Sequence, residues 1–338
     1  MNDVIVNLDA FIDKFLKNDS FHEYRLDEML SMIFGLPKSV YTRAVYDRMA
    51  LIKSYKAQLK KLLALPVIEQ RTPEWYEARQ TLITASDFAQ ALGEGKFGTQ
   101  KQLIQKKCGF EEDKFDNSAA ALRWGTMFED VACGIYAQRN NCKIYNFGLL
   151  RHPDINYFGA SPDGITEDGI MVEIKCPWKR KIDGTVPMQY FYQIQGQLDV
   201  CGLSECDYWE CEFIDSVDAA DTQGPGKYEK GVILEKANNQ YIYSHSCIDF
   251  TADGLEKWYQ ENTNDDVIKV HYYALTKTSC VRVYKDKEFL NDKLEKLGEV
   301  WNRIKEYRAD EDLYNKEIKA LTSKPSPYKL TGFAFMNI

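Results

Sequence analysis

The chain has 338 residues, 44% hydrophobic and 28% charged, an ordinary globular balance with length for one large domain or two smaller ones. Its net charge of −8 excludes a global basic field, so any contact with nucleic acid has to come from local positive patches. The nine cysteines form no CxxC pair, and the spacing of Cys201, Cys206 and Cys211 fits neither a zinc ribbon nor a redox motif, so reduced thiols and an intracellular protein are expected.

No apolar run reaches membrane-spanning length, and Met1 is followed by acidic and polar residues rather than a secretory leader. Residues 1–66 show helical periodicity and read as an N-terminal extension. Within it Lys38, Arg43, Arg48, Lys53, Lys56, Lys60 and Lys61 face only Asp47, the pattern of a solvated helix face or of an arm contacting duplex. The stretch "LPVIEQRTPEW" is a linker. Residues 72–92 give a turn and a helix, with Thr84 or Ser86 as caps for "DFAQAL". Residues 99–108 and 119–139 are helical, and 143–153 reads as a strand. Residues 187–203 form a helix with Tyr190, Ile194 and Leu198 on its apolar face, and 206–213 alternates like a strand. A polar loop follows at 215–230, then an amphipathic helix at 284–308, and a tail after Ala320 that contains Pro325 and Pro327.

The chemistry gathers in "SPDGITEDGIMVEIKCP", Ser161 to Pro177. Val172, Ile174 and Cys176 alternate with Glu173 and Lys175, which assigns a half-buried strand with the charged pair on one face. "NYFGASPDG" reads as the preceding strand, and the short "ITEDG" connection implies a hairpin that brings Asp163 toward Glu173. Seen alone, such a hairpin is equally a surface feature with a weak Glu–Lys pair. In "ALRWGTMFEDVACGIYAQR" the core face is Phe128, Val131, Ala132 and Ile135, with Glu129 at its boundary. Asp163, Glu173 and Glu129 together would make an oxygen-rich site suited to Mg²⁺ or Mn²⁺. Lys175 beside them offers a point charge for a phosphate oxygen or a proton-transfer group. The reaction implied is in-line hydrolysis of a phosphodiester.

The D…ExK pattern of Asp163, Glu173 and Lys175 resembles the PD-(D/E)xK nuclease superfamily. "WYEARQTLITASD", "WGTMFED" and "YFYQIQGQLDV" surround it in order and resemble the lambda-exonuclease-type, YqaJ-like viral recombinases, in the form carried by large DNA viruses. The resemblance implies an α/β (α+β) restriction-endonuclease-like core: a central mixed sheet flanked by helices, with helical N- and C-terminal additions. It implies an exonuclease domain over 67–320, with a motif core at 72–215 and a C-terminal helical part at 250–320, followed by a tail at 321–338.

By the same resemblance, Asp163, Glu173, the backbone carbonyl of Ile174 and Glu129 hold Mg²⁺, with Mn²⁺ as a substitute, and Lys175 is catalytic. Arg79 and Ser86 hold the 5′-phosphate, with Ser161 and Gln193 near the same pocket. One departure is Thr81, where these proteins usually have glycine. The function implied is a 5′→3′ exonuclease that digests one strand of double-stranded DNA from its ends and leaves 3′ overhangs for recombination or replication. Its partners would be DNA ends, a single-strand annealing protein and, by analogy, further copies of itself in a trimeric ring. A virus-encoded protein of host cytoplasm or nucleus is the matching localisation. Alternatives are a structure-specific or restriction-like endonuclease of the same superfamily and a non-catalytic DNA-end-binding recombination partner. The cysteine spacing disfavours an iron–sulfur cluster.

Overall fold

The computed structural model describes residues 38–110, 120–215, 228–238, 240–246 and 251–319. Residues 1–37 of the N-terminal extension, 216–227 of the polar loop and the tail from 320 lie outside the described residues. Helix α1 (Lys38–Leu63) buries Ile52, Tyr55, Leu59 and Leu62 along one stripe. Helix α2 (Pro73–Gln80) starts at Thr72, whose Oγ1 accepts the Trp75 N–H at 3.2 Å, with Pro73 at its first position. Strand β1 (Ile83–Thr84), a single 3₁₀ turn and the short α3 (Phe88–Ala91) follow, then α4 (Gln100–Cys108) and α5 (Ala120–Arg139). The Thr84 cap expected from the sequence is present: its N–H and Oγ1 both donate to Asp87 Oδ2, at 3.1 and 2.7 Å.

The expected strand over 143–153 is split into β2 (Ile144–Tyr145) and β3 (Leu150–Arg151), which enter different sheets. The break lies at Gly148, where a Cβ would come 1.8 Å from the Ile68 carbonyl oxygen, and the Leu149 N–H donates to that same oxygen at 3.1 Å. The incoming 64–72 segment therefore docks where a continuous strand would have run. Strand β4 (Phe158–Ala160) joins β1 and β3 in a three-stranded sheet ordered β1-β4-β3. It does not pair with the charged strand, which corrects the expected hairpin. That role belongs to β5 (Gly164–Thr166), antiparallel to β6 (Met171–Lys175), with Gly164 opposite Val172.

From β6 the chain passes through α6 (Met188–Cys201) to β7 (Glu205–Asp215), which runs parallel to β6 with Lys175 opposite Glu210. Gly202 closes α6 at φ +63°, and a Cβ there would approach Gln58 Nε2 to 2.8 Å. Strands β8 (Lys230–Lys236) and β9 (Tyr241–Tyr243), helix α7 (Ala252–Asn262) and β10 (Val267–Tyr284) come next. The 250–320 region, expected to be helical, thus includes the 18-residue β10, which pairs with β7 on one side and β8 on the other. Helices α8 (Lys287–Ala309) and α9 (Glu311–Tyr314) follow. The main sheet is seven-stranded and mixed, ordered β2-β5-β6-β7-β10-β8-β9, in keeping with the α/β class expected from the sequence.

Two cores face opposite sides of β6 and β7. Val172, Ile174, Cys176, Trp209, Cys211 and Phe213 pack on Met127, Phe128, Val131 and Ile135 of α5. Met171, Cys206 and Tyr208 face the other side, with Ile194 and Leu198 of α6, Leu297 and Ile304 of α8, and the apolar stripe of α1. Glu173 and Lys175 belong by alternation to this second face. Helix α1 is accordingly a packed element: Arg48 is buried and bridges to Glu205, and Lys56 reaches Asp168 at 2.9 Å. The basic stripe of 38–61 is in part consumed by the fold.

Candidate active site

Glu173 is fully buried, and both of its carboxylate oxygens are held. Oε1 accepts from Lys175 Nζ and, at 2.6 Å, from Gln193 Nε2; Oε2 accepts from Gln197 Nε2 at 2.8 Å. Gln193 and Gln197 stand one turn apart on α6, so one helix face grips the carboxylate. Gln195, also buried, ties the Tyr284 carbonyl and the Asp286 N–H at 2.9 and 2.7 Å. Asp163 immediately precedes β5, and its Oδ2 accepts the Ile174 N–H at 2.8 Å. This puts Asp163 beside Glu173 by a hydrogen bond to the strand backbone.

Burial and the Glu173 charge push the Asp163 carboxyl well above its ordinary pKa, against the pull of Lys175. Burial likewise raises Glu129 on α5, opposed by Arg71 and Lys175. For Lys175 burial acts downward, but the Glu173 and Asp163 carboxylates outweigh it and hold the ammonium above its ordinary value. Lys175 is therefore a cation at neutral pH, which suits a point charge better than a proton acceptor.

The expected three-carboxylate metal site is not assembled. Glu129 Oε2 accepts from Arg71 Nη2 at 2.8 Å, and among the described residues no cluster of three or more His, Cys, Asp or Glu side chains is arranged to hold a metal ion. Arg71, at φ +67°, lies in the docked 64–72 segment, whose Gln70 also donates to the Phe147 and Pro162 carbonyls at 2.8 and 3.3 Å. The donor chemistry still fits a hard divalent cation. All the donors are oxygens, and burial, with the Glu173 charge, raises two of the carboxyls, a cost that a bound cation would offset.

A second group lies alongside. The Arg79 guanidinium sits 4.2 Å from the Trp75 ring centroid and donates to Thr84 Oγ1 at 3.2 Å and Ser86 Oγ at 3.1 Å. The sequence pairing of Arg79 with Ser86 is thus a contact. Behind them, buried Lys107 bridges Asp87 Oδ2 at 2.9 Å and the Arg79 carbonyl at 2.8 Å. Thr81, at φ −84° and ψ 3°, caps α2 in a conformation open to β-branched residues, so the missing glycine leaves Arg79 in place. Trp75 Nε1 donates to Ser161 Oγ at 3.0 Å, and Ser161 is two residues before Asp163. That bond ties the Arg79 group to the Asp163 strand.

Sequence reasoning missed Gln70, Arg71, Gln197 and the Lys107–Asp87 pair. Only Gln197 had a local signal, its one-turn spacing from Gln193. The partners of the others are distant in sequence.

A family model described as the YqaJ-like viral recombinase domain matches residues 74–204. An uncharacterized protein of Acanthamoeba polyphaga mimivirus is 26% identical over 92% of this chain and 65% of its own length. A protein of African swine fever virus is 28% identical over 38% of this chain and 46% of its own. The chain thus spans under two thirds of the length of these relatives. Among solved structures, an alkaline exonuclease from Laribacter hongkongensis aligns over 74% of this chain and all of its own at 21% identity and TM-score 0.47. A phage-related exonuclease from Haemophilus somnus aligns over 67% and 93% of the two chains at 11% identity and TM-score 0.37. No helix among the described residues is long and apolar enough to cross a membrane. The segment similar to the YqaJ-like viral recombinase domain contains Arg79, Glu129, Asp163, Glu173, Lys175 and the two glutamines of α6.

Proposed function

We infer that this chain is a metal-dependent deoxyribonuclease that digests one strand of linear double-stranded DNA from its 5′ end and leaves a 3′ overhang. The observation that carries this reading is the Trp75–Ser161 hydrogen bond, which couples an Arg79–Ser86 anion pocket to the Asp163–Glu173–Lys175 constellation. An endonuclease has no need of a terminal-phosphate pocket beside its carboxylates, and a pure end-binder has no need of the buried acids. Arg79 presents a planar fork for a 5′-phosphate, stacked and oriented by Trp75. Lys175 supplies positive charge to the phosphorane-like transition state, and Gln193 and Gln197 fix the rotamer of Glu173.

Asp163, Glu173 and the Ile174 carbonyl, with Glu129 released from Arg71, are the residues that would hold Mg²⁺ or Mn²⁺. When bound, the ion supplies an activated water and stabilises the leaving oxygen. The nuclease domain would extend over 67–320. A trimeric ring around duplex, an annealing protein that receives the 3′ strand, and expression from a viral genome in host cytoplasm or nucleus complete the proposal.

The test is digestion of linear duplexes with and without a 5′-phosphate, labelled at either end, in Mg²⁺ and in EDTA. Loss of label from phosphorylated 5′ ends in Mg²⁺ alone is expected. Cleavage of closed circular duplex would show an endonuclease, and end binding without hydrolysis a recombination partner.

A further inference from the structure

Beyond Lys175 the chain runs through Cys176, Pro177, Trp178, Lys179 and Arg180. Trp178 is 44% exposed, and Lys179 Nζ stands 4.1 Å from its ring centroid. Arg180 turns the other way: its Nη2 donates to Glu210 Oε1 and lies 3.4 Å from Tyr208 Oη, while a third of its side chain (33%) stays open to solvent. Tyr208 Oη donates to the same Glu210 oxygen at 2.9 Å. Glu210 is completely buried, and its Oε2 has no hydrogen-bond partner among the described residues. A carboxylate in that position depends on a neighbouring cation, so Glu210 anchors Arg180 where it stands. The segment is pinned further on, where Lys277 Nζ donates to the Ile182 carbonyl at 2.7 Å.

This anchor adjoins the catalytic lysine. Glu210 is the register partner of Lys175 across β6 and β7. Lys175 Nζ is 5.2 Å from the Tyr190 ring centroid, and that ring is 5.8 Å from the ring of Tyr208. Lys175, Tyr190, Tyr208, Glu210 and Arg180 thus form one row. At its open end a cation held by a buried acid and an indole exposed to water stand two residues apart on a bent segment. A nucleotide presents the complementary pair, an anionic phosphate and a flat base. Aromatic faces take up bases without regard to sequence, and arginine takes up phosphate.

We propose that Trp178 and Arg180 form a subsite for the nucleotide next to the scissile phosphodiester, with Trp178 stacked on its base, Arg180 on its phosphate, and Glu210 and Tyr208 positioning Arg180. The inference rests on the nuclease reading and adds to it a grip on the frayed strand, separate from the Arg79 end pocket.

The experiment uses the full chain in EDTA and a 5′-phosphorylated duplex with two unpaired terminal nucleotides, titrated across a salt series. Binding is followed by anisotropy and by tryptophan fluorescence. Trp178→Ala weakens binding about tenfold and removes most of the DNA-dependent quench. Arg180→Ala lowers the slope of log affinity against log salt by about one, and Arg180→Lys restores it. Tyr208→Phe, which keeps the ring but drops the hydroxyl, weakens binding less than Arg180→Ala. Wild-type affinity and quench in Trp178→Ala, or an unchanged slope in Arg180→Ala, overturn the subsite. Wild-type protein that leaves linear duplex intact in Mg²⁺ overturns instead the reading on which it rests.

Discussion

Lys107→Met removes the cation behind the Arg79 pocket while keeping most of the side-chain stem. Lys107 is 3% exposed, and its Nζ serves two acceptors, Asp87 Oδ2 at 2.9 Å and the Arg79 carbonyl at 2.8 Å. Methionine leaves a buried carboxylate without its closest cation, a loss of roughly 3–5 kcal/mol. The orphaned carbonyl adds about 1 kcal/mol. The deficit depends on pH with a definite sign. Burial pushes the Asp87 carboxyl up, but Lys107 and Arg79 overcome it and hold its pKa well below the ordinary carboxylate value. A depressed pKa contributes stability above the unfolded value of about 3.9 and loses it as pH falls through the folded value. The variant, with Lys107 gone, loses that contribution at neutral pH and has little left to lose in acid. Urea denaturation of wild type and Lys107→Met should therefore show a wide gap at pH 7 that narrows only below the unfolded value, at about pH 2. A gap of under about 1 kcal/mol at pH 7, within the range of ordinary surface substitutions, or an equal gap at both pH values, refutes the buried-pair argument.

Asp163→Ala should abolish hydrolysis and weaken Mn²⁺ binding by calorimetry, whereas Lys175→Ala should lose on the order of 10²-fold in rate or more with near-normal Mn²⁺ binding. Unchanged hydrolysis in either removes the assignment. Arg79→Ala should cut the preference for 5′-phosphorylated over 5′-hydroxyl ends by on the order of tenfold or more; equal slowing of both substrates makes Arg79 structural. A chain lacking residues 1–66 should fail to fold, because α1 buries Ile52, Tyr55, Leu59 and Leu62. Those side chains are worth on the order of 6–12 kcal/mol before entropy, comparable with the whole stability of a domain. A soluble, cooperatively melting truncation contradicts this.

The charged strand was legible because its signal is local: alternation alone separates Val172 and Ile174 from Glu173 and Lys175, and the two cores observe that division. Long helices were legible for the same reason, as in α6 and α8. What failed was whatever a distant segment decides. The 143–153 strand breaks because Ile68 docks at Gly148, a contact 80 residues apart in sequence that no periodicity encodes. Arg48 read as part of a solvated basic face and is instead buried against Glu205, at a separation of 157 residues. Glu129 was correctly placed at the edge of its helix, but its engagement by Arg71 depends on a linker residue at positive φ. Strand β10 escaped notice because its alternation is interrupted by the register shift between Leu275 and Lys277.

That strand has a consequence for synthesis. β7 pairs with β6 on one side and along nearly its whole length with β10 on the other, Glu205 opposite Tyr284 and Asp215 opposite Tyr273. A ribosome delivers β5, β6, α6 and β7 well before β10, so the site-bearing strands can meet while the outer border of β7 still lacks its neighbour. That border is "ECDYWECEFID", a run buried almost throughout in the finished sheet. During elongation it is a long strand edge, its apolar residues interleaved with acidic ones, open to pairing with other chains. The nascent polypeptide thus passes through a window in which it can begin to assemble its reactive centre and is also most prone to associate wrongly. Slow translation between Asp215 and Val267 would widen that window and favour a holdase, while rapid delivery of residues 267–284 would close it.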